Sequence, residues 1–212
     1  MMRKKILLFC GILSSLLYLA MNIFIPMLWK EYSMVSQVVS ELSAIGAPTR
    51  PVWFAWGLVY ALLVMGFGMG IWQSAAGNRS LRIMGALFIA DGIVSLFWPP
   101  MHLRGAEMTL TDILHIVFSF VWLALALLIV GFGAAAFRGR FHLYTLATIA
   151  LFVVFGILTG TEAPNIAKNL PTPRIGVWER INIAVYMLWI AVLAVVLLRE
   201  IPSDGKRRKT MV

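Results

Sequence analysis

Residues 113–133 read ILHIVFSFVWLALALLIVGFG, a run with one imidazole, one hydroxyl and no formal charge. At about 1.5 Å of rise per residue, an α-helix of that length spans about 30 Å, the thickness of a bilayer's hydrocarbon core. Working outward, five more runs of this kind lie at 6–29, 52–72, 81–98, 143–160 and 178–198. Lysine or arginine enters them only at Arg82 and Arg180, each within a turn of its run's end. The expected fold is all-α and polytopic: six transmembrane helices in one domain, 1–201, followed by a basic tail, 202–212.

Composition leaves no soluble alternative. Of 212 residues 61% are hydrophobic and 13% charged, so surplus apolar side chains must face lipid. The net charge of +9 is spread over helix ends and the tail, which points to anionic headgroups as partners and away from nucleic acid. Cys10, the single cysteine, excludes an intrachain disulfide. The first run follows a basic start like a signal peptide, but it is long for one and lacks a small-x-small cleavage site, so it is expected to stay as a helix.

Orientation follows from the basic residues. One side collects Arg3, Lys4, Lys5, Arg79, Arg82, Arg138, Arg140, Arg199, Lys206, Arg207, Arg208 and Lys209. The other holds only Lys30, Arg50, Arg104, Lys168, Arg174 and Arg180. The richer side is cytoplasmic by the positive-inside rule, which places both termini there and makes this a multi-pass protein of the cell membrane. Pro99-Pro100 stops the third run, and Pro51 suits a first helical turn. Gly66-x-Gly68-x-Gly70 and Gly131-x-Gly133 fall within runs and read as packing features.

Nearly all residues capable of chemistry fall on the outer side. In 30–50, Ser33, Gln37 and Ser40 share a face at helical spacing with Glu41 beside it, so an interfacial helix could turn that face to a pocket or to water. Asp91 lies about two turns below the outer end of its run; an acid there costs about 2.5 to 3.5 kcal/mol and needs a partner, a proton or water. Asp112, His115 and Ser119 are spaced i, i+3, i+7 on one stripe, suited to metal ligation or a general-base relay. Thr109-x-x-Asp112 equally fits a helix-capping box. Arg174 or Arg180 could hold a phosphate or carboxylate headgroup, or serve as plain interfacial anchors. No G-x-S-x-G, H-E-x-x-H or P-loop is present.

Ser40-Glu41-Leu42-Ser43-Ala44-Ile45-Gly46-Ala47-Pro48-Thr49-Arg50-Pro51, together with Phe97-Trp98-Pro99-Pro100-Met101-His102 and Asp112-x-x-His115, resembles an uncharacterised prokaryotic membrane family, domain of unknown function nine hundred and ninety-eight. The outer loop and helix start are more distantly similar to the Frag, DRAM and Sfk membrane proteins. That likeness implies six helices and lipid handling. Ser43 stands where a glycine is expected in the latter pattern.

Two functions remain open. In the first, the outer polar groups line a pocket for a lipid or small amphipathic ligand in a binding, transport or sensing protein, with Gln37, Arg50, Arg104, Glu162, Arg174 and Arg180 as contacts. In the second, a membrane-embedded lipid hydrolase or acyl-transfer enzyme uses Ser40, Glu41, Asp91, Asp112 and His115. There His102, Asp112 and His115 would hold a divalent metal such as zinc. Both require these side chains to converge on one shared cavity.

Overall fold

Prolines and caps cut the chain into helices close to where the apolar runs lie. A computed structural model describes residues 2–200, and the expected tail at 202–212 lies outside them. The helices are α1 (Met2–Phe24), α2 (Arg50–Ser74), α3 (Arg79–Leu96), α4 (Leu110–Ala136), α5 (Gly139–Ala167) and α6 (Ile175–Glu200). Pro51 sits in the first turn of α2, and α3 stops before Pro99-Pro100. The Asn78 side chain accepts from Leu81 N at 3.1 Å to cap α3 and donates to Ala136 O at 3.2 Å, tying that start to the end of α4. Helix α5 outruns its expected end by a turn and more, carrying Pro164 near its C-terminus.

Each helix packs on the next, and α6 returns to α1, so the six close a ring. Its interior is filled by large side chains such as Phe67, Phe88, Phe152, Tyr186 and Trp189, all under 2% exposed. Helix α6 is the most enclosed, with 50% of its apolar window buried, against 17% for α5 and 22% for α4. The outward faces of α4 and α5 carry Phe120, Leu143 and Ile157, each more than 60% exposed, as lipid-facing helices require.

Five of the six helices are long and apolar enough to cross a membrane. Helix α3, the third of the expected spans, does not reach that measure: it has 18 residues and carries Arg79, Arg82 and Asp91. It is held against α2 by backbone contact. A Cβ on Gly68 would lie 2.7 Å from Gly85 O, and one on Gly85 would lie 2.7 Å from Trp72 N. Small residues are needed at this seam, in line with the packing role expected of the glycines.

Candidate functional site

The residues 30–50 do not form the expected interfacial helix. They fold irregularly around one short 3-10 turn, Val39–Ser43, because their polar side chains bond locally and to distant segments. Gln37 accepts from Ser33 N at 2.8 Å, and Glu41 accepts from Val38 N at 2.8 Å and from Gln37 Nε2 at 3.2 Å. Glu41, fully buried, then receives Arg104 through Nε at 2.7 Å and Nη2 at 3.1 Å. The remaining guanidinium donors go to Thr172 Oγ1 at 2.6 Å and Ser36 O at 2.9 Å, and Thr172 itself donates to Ser36 O at 2.7 Å. One ion pair thus fastens three connections together: 30–49, 97–109 and 168–174. Glu41 and Arg104, expected as catalytic and substrate-binding groups, spend their bonds on this joint.

A second joint lies beside it. Arg180 Nη1 donates to Met34 O at 2.8 Å, Gly176 O at 3.0 Å and Gln37 O at 3.3 Å, and Nη2 donates to the Tyr32 hydroxyl at 2.7 Å. The guanidinium carbon stands 5.5 Å over the Tyr32 ring. The Tyr32 hydroxyl in turn donates to Val38 O at 2.8 Å. Burial pushes the Tyr32 phenol above its usual value, against the pull of the Arg180 cation. Glu179, next in sequence, accepts from Val39 N. Gly176 is obligatory here, since a Cβ would run into Gln37 O and Met34 O. Arg180 is therefore a brace for the first connection rather than a free headgroup clamp.

The histidines separate. His102 donates its backbone N–H to Asp112 Oδ1 at 2.7 Å and brings Nδ1 to 2.9 Å from Oδ2. Asp112 also accepts from Thr109 N at 2.9 Å and Thr109 Oγ1 at 2.8 Å, so the expected capping box is present and holds the imidazole as well. Nδ1 must carry the hydrogen in this pair, which leaves His102 Nε2 as the free nitrogen of a side chain 28% exposed. His115 turns elsewhere. Its Nδ1 lies 2.7 Å from Pro99 O and 3.2 Å from Trp98 Nε1, with the two rings edge to face. One nitrogen cannot donate to the first and accept from the second; the shorter contact favours Nδ1–H to Pro99 O. Ser119 donates to His115 O, and Ser40 to Met101 Sδ at 3.4 Å, so neither hydroxyl faces an imidazole. Among the described residues no three His, Cys, Asp or Glu side chains gather as a metal-holding group.

Asp91 stands apart from all of these. It is 1% exposed, Ser95 bonds its carbonyl and not its carboxylate, and neither carboxylate oxygen has a hydrogen-bond partner among the described residues. Tyr18 of α1, Tyr60 of α2 and Tyr186 of α6 lie close enough to feel its charge. The Tyr18 and Tyr60 rings touch, with centroids 4.7 Å apart. On the same faces, one turn nearer the long connections, are Asn22 of α1 and Asn182 of α6. Asn22 Oδ1, Asn182 Oδ1 and the Tyr186 hydroxyl are also buried without partners. These buried polar groups were the part of the ring least visible in sequence. Their signal was an asparagine and tyrosines repeated at i, i+4 inside apolar runs.

The other expected contacts are scattered. Arg50 donates to Ser43 O at 3.1 Å, Glu162 accepts from Arg174 N at 3.1 Å, and the Arg174 side chain is exposed. Two apolar hollows, of about 270 and 390 Å³, lie along α2 and α3 near Trp72, lined by residues such as Met69, Ile89, Ile83 and Leu87. None of the expected site residues lines either of them. The expected site residues are thus spread over two braces, a histidine–aspartate pair and the buried Asp91.

No curated protein and no solved structure matches this chain, and the likeness to the Frag, DRAM and Sfk proteins finds no support there. A family model described as "Protein of unknown function (DUF998)" matches residues 12–196, a stretch that takes in all three motifs and most of every helix. The chain belongs to that family.

Proposed function

We propose that this protein binds the polar part of a lipid or small amphipathic ligand within the membrane, among α1, α2, α3 and α6, and acts in transport or sensing rather than chemistry. The observation that carries the reading is Asp91, whose carboxylate is buried in a helix ring with no partner for either oxygen. Such a group is expensive to maintain and is a functional-site candidate by default. With α3 as a sixth crossing, the basic-residue asymmetry puts the long connections outside the cell membrane, and the two arginine braces make them a fixed cap over the cluster.

The test uses the lone cysteine. In a Cys10→Ser background, Asn22→Cys is challenged in sealed vesicles with a small membrane-impermeant thiol reagent. The expected result is labelling from the long-connection side only. A thiol that reacts from neither side, while the protein stays folded, removes the binding reading.

A second reading, a lipid hydrolase or acyl-transfer enzyme, is favoured by the His102–Asp112 pair. A carboxylate on Nδ1 orients an imidazole whose Nε2 can take a proton from water. Turnover of a lipid ester, lost in His102→Ala and retained in His115→Ala, would favour it.

A further inference from the structure

The two apolar hollows on α2 and α3 meet at Trp72, and one of them carries a charge. The larger, about 390 Å³, is lined by Trp72, Arg82, Ile83, Ala86, Leu87 and Ala90. Its α3 residues fall at i, i+1, i+4, i+5 and i+8, a stripe running about 12 Å from near the helix N-terminus toward mid-membrane. Ala86 and Ala90 are too small to fill it, and Arg82, its one polar lining residue, stands at the end nearest the membrane surface. The smaller hollow, about 270 Å³, is lined by Met69, Trp72, Gln73 and Ile89, so the two share one indole. That indole is half-exposed, at an end of α2 where rings of this kind favour the headgroup level.

The charge at this end of the bundle is uncompensated. Arg79, Arg82, Arg138 and Arg140 are all exposed, and the ion pairs among the described residues involve none of them. The bond from Asn78 Nδ2 to Ala136 O brings the start of α3 beside the turn that carries Arg138 and Arg140. No Asp or Glu occurs at 42–90 or 113–161. On this side the described residues hold one acid, Glu200, at the end of α6, which packs on α1 and α5 and not on α3. Helix α3 also turns its positive dipole end this way, so an anion here answers both the side chains and the helix.

We infer that this furrow is a binding site for an anionic phospholipid of the leaflet on the basic side. Arg82 holds the phosphate oxygens, Gln73 offers an amide donor at the same level, and the acyl chains lie in the hollows that share Trp72. The order along the stripe, a cation and then hydrocarbon-lined space, is the order of a phospholipid read from headgroup to tail. A second copy of this chain fits poorly, because it would bring arginines against arginines. The site lies toward the side opposite the long connections and does not draw on the Asp91 reading.

The experiment uses the full-length protein in bilayers of dioleoylphosphatidylcholine with a low fraction of brominated-chain lipid, either phosphatidylglycerol or phosphatidylcholine. The tryptophan quenching that disappears in Trp72→Phe is the Trp72 signal. The expected result is a relative affinity about fivefold higher for the phosphatidylglycerol, the worth of one arginine at an anionic surface. Arg82→Gln should erase that preference. Ala86→Phe, which fills the hollow and keeps the charge, should lower it, and Lys168→Gln on the opposite side should leave it intact. Equal quenching by the two lipids overturns the site, since it describes an ordinary lipid-facing surface. Absence of Trp72 quenching by either lipid overturns it in favour of a protein covering. A preference unchanged in Arg82→Gln or in Ala86→Phe overturns it as well, because diffuse surface charge would then account for the attraction.

Discussion

Arg104 and Glu41, 63 positions apart in the chain, meet through two parallel N–H···O contacts with the carboxylate wholly shielded from solvent. Removing one partner strands the other charge, which costs about 3–5 kcal/mol for a buried pair. Arg104→Ala and Glu41→Ala should each lower the melting temperature steeply. Arg104→Lys should recover little, because an ammonium cannot serve Glu41, Thr172 and Ser36 together. Differential scanning fluorimetry in detergent would check this, and a wild-type melt for Arg104→Lys would contradict the role given to the fork.

Gly176 and Gly160 make a matched pair. A methyl at 176 collides with two carbonyl oxygens of the first connection, while the space at 160 is open. Gly176→Ala should cost about 1–3 kcal/mol and loosen residues 34–37 to protease. Gly160→Ala, in a helix exposed to lipid, should be neutral or gain up to about 1 kcal/mol. Equal effects at the two positions would argue against close docking of the loop on α6.

The helix boundaries were readable because their causes are local. Pro99-Pro100 had to stop α3, and Thr109 with Asp112 had to cap α4, whatever the rest of the chain did. The site was less readable because its pairings are not local. Nothing in the spacing of 30–50 says that Glu41 will receive Arg104, or that Arg180 will bond the carbonyls of 34 and 37; that depends on how three connections meet above the ring. Asp91 was visible as a lone acid, yet its company of Tyr18, Tyr60 and Tyr186 comes from three other helices. Aromatic residues in membrane runs are common enough that these three carried no flag of their own.

His102 and His115 belong to separate groups, so their energetic effects should add. In a double-mutant cycle on melting free energy, His102→Ala with His115→Ala should couple by less than about 0.5 kcal/mol. His102→Ala with Asp112→Ala should couple by about 0.5–3 kcal/mol, since those side chains are 2.9 Å apart. Strong coupling between the two histidines would instead mean that they share a ligand.

Asp91 should be a burden on stability when nothing is bound. In lipid-depleted protein, Asp91→Asn should leave the melting temperature unchanged or raise it, by on the order of 1 kcal/mol, because the amide escapes the desolvation cost of an unpaired carboxylate. A loss like that of a core truncation, about 2–5 kcal/mol, would mean that the carboxyl is a structural member of the bundle.

The backbone contact between Gly68 and Gly85 has a mechanical consequence. Two helices joined main chain to main chain cannot slide or part without breaking that fit, so α2 and α3 travel as a single plank. Contact is sparsest between α4 and α5. Relative motion within the ring is therefore easiest along that slacker arc, with the glycine plank as the fixed wall it moves against.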